Sequence, residues 1–180
     1  AMKLYITTLG EFDMCIDGQS VMQDASRSYK LFKLLQYFLT FKNKKLLPET
    51  IIDNLWQEQE STDPKNMIRG QIFRLRQILK NILPSEEYLN ITFNNGYYML
   101  EVAKEVTIDI DEMESLIQKG NEFMLENREA GIKAYRDAVK LYKGGYLSEN
   151  SYEVWLVPVR NYYKRLYVKT IENLDRKSVV

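Results

Sequence analysis

Between Lys3 and Val102 the hydrophobic period of the chain changes twice, from two to about 3.6 and back to two, and that order restricts the fold more than any other feature. Leu4-Tyr5-Ile6-Thr7-Thr8 and Phe12-Asp13-Met14-Cys15-Ile16 alternate like half-buried strands. Gly10 and Asp17-Gly18 punctuate them as turns, which predicts a small antiparallel meander up to about Met22. Leu31, Leu34, Leu35, Phe38 and Leu39 then recur at helical spacing behind Ser28, a candidate N-cap, and predict one amphipathic helix ending near Phe41. A shorter helix is expected after Pro48, through Ile51, Ile52, Leu55 and Trp56.

The third helix has the best start signal in the chain. Asp63 can accept from an orphan backbone N–H, and Pro64 loses nothing by lacking its own N–H in a first turn. Ile68, Ile72, Leu75, Leu79 and Ile82 then hold one stripe until Pro84 stops the helix. Tyr88 to Phe93 and Tyr97 to Val102 are β-prone and joined through Asn95-Gly96, a pair that tolerates the positive φ of a two-residue hairpin turn. Beyond Glu101 no further β signal is read, and the polar Ala103-Lys104-Glu105 stretch marks a domain boundary. Three helices are expected after it: Asp111 to Glu126 with Glu114 completing a capping box, Arg128 to Tyr142, and Tyr152 to Leu174, interrupted or bent at Pro158. Gly144-Gly145 separates the last two. Val168, Ile171 and Leu174 still keep core spacing near the end, so the chain reads as cut from a longer protein. Ala1, ahead of Met2, reads as a remnant of tag removal and takes no part in the fold argument.

Strands, three helices and a hairpin, in that order, are the parts of a winged helix, whose third helix enters the major groove with the hairpin as the wing. The expected fold is thus an α+β winged helix-turn-helix at residues 3–102, followed by an all-α, tetratricopeptide-like helical domain at 107–180. The 180-residue chain balances 25 basic against 25 acidic side chains, so any case for nucleic acid must rest on how charge is distributed. The third helix carries Lys65, Arg69, Arg74, Arg76 and Lys80 with no acid after Asp63. At about 100° per residue, Asn66, Gly70, Phe73, Arg74 and Gln77 point away from the apolar stripe, with Arg69 and Arg76 on its flank. Arginine can bridge guanine O6 and N7 or clamp a phosphate, asparagine and glutamine can pair with adenine, and Gly70 lets backbone approach a groove. A second basic run, Arg27, Lys30, Lys33, Lys42, Lys44 and Lys45, contains no acid and suits phosphate contacts; as a charge run it equally suits a solvated helix face.

Other residues have plainer readings. Histidine is absent, which removes the commonest general base and metal ligand, and no phosphate loop or nucleophile elbow is present; an enzyme is not expected, nor any cofactor or metal. Cys15 is read as a buried small hydrophobe. Tyr135 with Tyr142, and Tyr163 with Tyr167, have the spacing of helix packing rather than base stacking. Trp155 and Arg160 are read as a buried tryptophan and a structural ion pair. With no signal peptide and no membrane-length apolar run, a cytoplasmic protein with no membrane partner is expected.

The chain also resembles a known family. Leu4 to Phe12 with Leu9-Gly10, the Leu31 to Leu39 helix, Ile52 to Trp56, Ile72-Phe73-Arg74-Leu75-Arg76 and Gly96-Tyr97-Tyr98-Met99 resemble the OmpR/PhoB-type winged helix. Ile108-Asp109, Ala138-Val139-Lys140-Leu141-Tyr142-Lys143-Gly144, Tyr146-Leu147, Trp155 and Arg160 extend the likeness to the Streptomyces antibiotic regulatory protein family, which fuses that domain to a bacterial transcriptional activation domain of tetratricopeptide type. The resemblance implies transcription regulation in which Arg74 and Arg76 contact double-stranded DNA and Gly70 faces the groove. It further implies that the Gln57 to Thr62 loop, with Glu58 and Glu60, faces RNA polymerase, and that the protein binds as a homodimer or tandem pair. Asn94-Asn95 at the wing tip departs from an arginine-bearing wing and leaves Asn95 to hydrogen-bond phosphate. A close variant is a two-component-like effector half detached from its sensor. The alternative of another class is a helical interaction scaffold whose winged helix binds protein, which the zero net charge keeps open.

Overall fold

The computed structural model describes residues 2–22, 29–57, 62–150 and 153–178. The first elements are β1 (Leu4–Thr7), β2 (Asp13–Ile16), β3 (Gln19–Ser20), α1 (Tyr29–Thr40), α2 (Pro48–Leu55) and α3 (Pro64–Ile82). They are followed by β4 (Leu89–Asn94), β5 (Tyr97–Val102), β6 (Val106–Ile108), α4 (Asp109–Phe123), α5 (Arg128–Lys140), a 3₁₀ turn (Val154–Leu156) and α6 (Val157–Ser178). Strands β3, β2, β1 and β6 form one sheet in that order, and β4 and β5 pair antiparallel from Leu89 opposite Val102 to Asn94 opposite Tyr97. Contacts group residues up to 4 with 16–106 in one unit, and 5–15 with 107–180 in a second. The sequence reading instead keeps the whole N-terminal meander with the winged helix.

In the first unit the α3 stripe forms as its spacing requires. Ile68, Ile72, Leu75 and Leu79 are buried while α1 and α2 pack against the helix. Burying each such side chain contributes about 1.5–3 kcal/mol. Asp63 Oδ1 accepts from the Asn66 N–H at 3.2 Å, closing the expected cap, and Pro64 occupies the first turn. Phe32, Leu34, Leu35, Tyr37, Phe38 and Leu39 of α1 are buried. Tyr37 accepts a hydrogen bond from Asn54 Nδ2 of α2 at 2.8 Å. Leu55 and Trp56, expected within this helix, are half-buried, Leu55 as its last residue and Trp56 as its C-cap. The hairpin turns on Asn95 (φ 53°) and Gly96 (φ 83°), the positive pair that matches strand twist in a two-residue turn. The expected Ser28 cap lies outside the described residues, as does Arg27.

The second unit corrects several expectations. Val106–Ile108 is a strand, so β structure does not end at Glu101. Helix α4 begins at Asp109 with Ile108 as an extended N-cap, and the Asp111/Glu114 capping box is not formed. Glu114 instead accepts from the Tyr162 hydroxyl at 3.4 Å. Asp109 is 2% exposed and accepts from the Thr8 hydroxyl at 2.6 Å and from the Thr8 and Leu9 N–H groups at 2.8 Å each. At Pro158 the expected stretch is interrupted rather than bent: a 3₁₀ turn (Val154–Leu156) precedes it, and Pro158 falls in the first turn of α6, where its missing N–H is tolerated. The α4–α5 pair closes on small residues: Gly131, Ala134 and Ala138 are buried, and a Cβ at Gly120 would lie 2.6 Å from the Tyr135 ring.

The aromatic residues of this unit pack as their spacing predicts, Tyr142 stacking on Tyr167 at 4.2 Å and Tyr146 on Tyr163 at 5.3 Å. Trp155 is buried. Among the described residues Arg160 forms no ion pair of the kind expected; its guanidinium donates to the carbonyls of Tyr146 (2.8 Å), Leu147 (2.6 Å) and Asn150 (3.1 Å). Cys15 is half-buried rather than a core hydrophobe. Its Sγ lies 3.4 Å from Asp13 Oδ2, and burial together with that carboxylate pushes the thiol pKa up. Among the described residues no helix is long and apolar enough to cross a membrane.

Candidate nucleic-acid interface

Helix α3, about 28 Å long at 1.5 Å per residue, supplies most of the candidate side chains. With the Ile/Leu stripe buried, the opposite pole consists of Asn66, Gly70, Phe73 and Gln77, none of them charged. Asn66 and Gln77 are exposed, Phe73 is 61% exposed, and a Cβ built on Gly70 would meet nothing within 4 Å. The cations stand on the shoulders. Arg74 is exposed on one side, and Lys65, Arg69 and Arg76, also exposed, lie toward the other. Lys80 pairs with Glu86 at 3.7 Å, both side chains well exposed, which adds little to stability.

The second shoulder faces the hairpin. Arg76 Nη2 donates to the Ile91 carbonyl of β4, so part of this guanidinium is committed to fixing the hairpin against the helix. Burial pushes the pKa of the Tyr98 hydroxyl up, while the positive charges of Arg69 and Arg76 pull it down. On its other edge β5 exchanges hydrogen bonds with Leu46: Leu46 N–H donates to Tyr98 O and Tyr98 N–H to Leu46 O, each at 2.8 Å, and Asn43 N–H donates to Leu100 O at 3.0 Å. Exposed Lys44 is thereby held at the β5 edge, and exposed Asn95 stands at the hairpin tip. Glu58 and Glu60 lie outside the described residues.

Sequence reasoning missed two residues of this surface. Phe93 and Tyr97, flanking the turn, are 57% and 37% exposed. By the period of two, Phe93 shares the inward face with Leu89 and Ile91, but the hairpin runs past the end of the core. The signal available was its position next to the Asn95-Gly96 turn. The tie from Arg76 to Ile91 has no signature in sequence, since any residue supplies a carbonyl. Among the described residues no group of three or more cysteine, aspartate or glutamate side chains is placed to hold a metal ion.

Three comparisons bear on this surface. Residues 23–99 match the family model described as "Transcriptional regulatory protein, C terminal", a stretch that contains the whole of α1, α2 and α3 and the hairpin turn. The structure of Mycobacterium tuberculosis EmbR in complex with a low-affinity phosphopeptide is similar over 99% of this chain, with a TM-score of 0.82 at 18% identity. The match covers 46% of the EmbR chain, so this chain spans less than half of EmbR's length. No curated protein sequence matches the chain.

Proposed function

From a winged-helix domain of the transcriptional regulatory protein, C-terminal type at residues 23–99, we propose that the chain is a sequence-specific, double-stranded-DNA-binding transcription regulator acting in the cytoplasm. Helix α3 enters the major groove and the β4–β5 hairpin lies beside it as the wing. One observation carries the reading: the pole of α3 offers uncharged groups able to pair with base edges, and cations flank it on both shoulders, where they suit phosphates beside a groove. Asn66 and Gln77 read bases. Arg74, Lys65 and Arg69 hold phosphates or guanine, and Arg76 divides its guanidinium between DNA and Ile91. Lys44 and the Asn95 tip add backbone contacts.

The wider family resemblance supports two further roles. The loop carrying Glu58 and Glu60 contacts RNA polymerase, and two copies bind as a homodimer or tandem pair, with the helical unit serving dimerisation or regulation. Fluorescence anisotropy with duplex DNA from the gene's own upstream region, titrated with salt, tests the DNA reading. Arg74→Ala is the informative variant, because Arg76→Ala would also loosen the hairpin. Binding that weakens steeply with salt, and a variant about tenfold weaker with a salt slope lower by about one, is the expected result. If the native chain shows no binding at low salt and high micromolar concentration, the DNA reading fails and a protein-binding scaffold takes its place.

A further inference from the structure

We propose that Phe73 is a specificity residue that recognises the 5-methyl group of a thymine, within one helical turn of an adenine read by Gln77; this rests on the DNA-binding reading above. Phe73 is 61% exposed in the middle of α3, and the buried stripe that holds the helix in place lies on the opposite side. Its neighbours on the pole, Asn66, Gly70 and Gln77, are uncharged, so no long cationic side chain is there to hold the pole away from the floor of the groove. The open space around Gly70, one turn before Phe73, lets the backbone come close at the point where the ring would seat.

The floor of the major groove presents donors, acceptors and one apolar protrusion, the thymine methyl, which is the group a phenyl ring can cover without leaving a polar edge unpaired. Gln77 lies four residues on, about 6 Å along the axis. That is less than two base steps at about 3.4 Å each. Its amide can give and take hydrogen bonds at adenine N6 and N7. The arginines stand on the shoulders, where they hold phosphates or flanking guanines, so the chain's sequence preference at the pole of α3 is for A·T pairs.

The experiment selects duplexes bound by the full chain from a random pool, then replaces each thymine of the preferred site, one at a time, with deoxyuridine, which differs only by the methyl group. One replacement is expected to weaken native binding about fourfold, the scale of one lost methyl contact. Phe73→Ala should bind the thymine duplex more weakly by the same factor and show no further loss with uridine, and Phe73→Leu should keep part of the discrimination. Circular dichroism should show both variants folded, because Phe73 lies outside the buried stripe that holds α3. Uniform tolerance of uridine by the native chain, or equal sensitivity in native and Phe73→Ala, overturns the assignment while leaving DNA binding intact. Failure to select any duplex at low salt overturns both.

Discussion

Gly70 in α3 and Gly120 in α4 each weaken a helix by about 0.5–1 kcal/mol relative to alanine, yet their surroundings have nothing in common. Around Gly120 the reason lies inside the protein: Tyr135, itself 1% exposed and bonded through its hydroxyl to Asn121, occupies the space a Cβ would need. At half-buried Gly70 a Cβ would meet nothing within 4 Å, and the adjacent pole residues Phe73 and Gln77 are exposed. The same contrast holds for arginine, since Arg160 of α6 gives its guanidinium to three carbonyls whereas Arg74 of α3 stands exposed. Residues that cost stability and have an internal reason belong to architecture. Those that cost stability without one point outward, to something the helix meets.

The largest test of this contrast is Arg160→Ala. It should destabilise the protein by about 3 kcal/mol, because buried Tyr146, Leu147 and Asn150 lose a charged donor to their carbonyls. Urea denaturation measures the loss, and DNA affinity under conditions where the variant stays folded should match the native chain. Arg74→Ala should do the reverse, leaving the urea midpoint within the scatter of surface substitutions while weakening DNA binding. A shared phenotype would remove the distinction between the two helices.

The glycines give the next two effects. Gly120→Ala gains helix propensity but drives a methyl group into a buried, hydrogen-bonded ring, for a net destabilisation of about 2 kcal/mol. Gly70→Ala meets no atom and should stabilise the fold by about 0.5–1 kcal/mol, yet lower DNA affinity about tenfold by spacing the backbone from the groove. Opposite signs in one variant, read from denaturation and anisotropy on the same preparation, would be hard to obtain from a merely structural position. A stabilised variant with native affinity would instead put the pole of α3 off the groove floor.

How much of this was legible in the sequence follows the range of the forces involved. The meander, the Asp63-Pro64 start, the α3 stripe and the Asn95-Gly96 turn are each set by neighbours a few residues away, and the structure forms them where local rules place them. The division of α3 into a buried stripe and an exposed pole was likewise legible, because helical period alone decides it. What escaped depends on distant partners. Strand β6 is three residues long and finds its place beside β1. Asp109 was legible only as part of the Ile108-Asp109 resemblance, and what makes it a buried anchor is Thr8 and Leu9, about a hundred residues away in sequence. Arg76 and Arg160 were legible as cations but not as donors to particular carbonyls.

Asp109 yields the smallest effect, and the one whose sign is most instructive. Burial penalises its charged form and outweighs the hydrogen bonds from Thr8, Leu9 and Ile110 that favour it, so its folded-state pKa lies above the ordinary aspartate value. Between the unfolded and folded pKa values the native state binds more protons than the unfolded chain, so this group's contribution to stability is fully present below the unfolded pKa and is lost as pH rises through the folded one. Asp109→Asn keeps an oxygen for the two N–H donors and turns an amide toward the Thr8 hydroxyl, which can accept. At neutral pH the substitution should therefore change stability by less than about 1 kcal/mol. On acidification the native chain should gain relative to the variant, a difference read from paired urea titrations at stepped pH. If the native chain instead loses ground to the Asp109→Asn variant as pH falls, the hydrogen bonds from Thr8 and Leu9 outweigh burial, and the carboxylate is a stabilising anion at the start of α4 rather than a strained one.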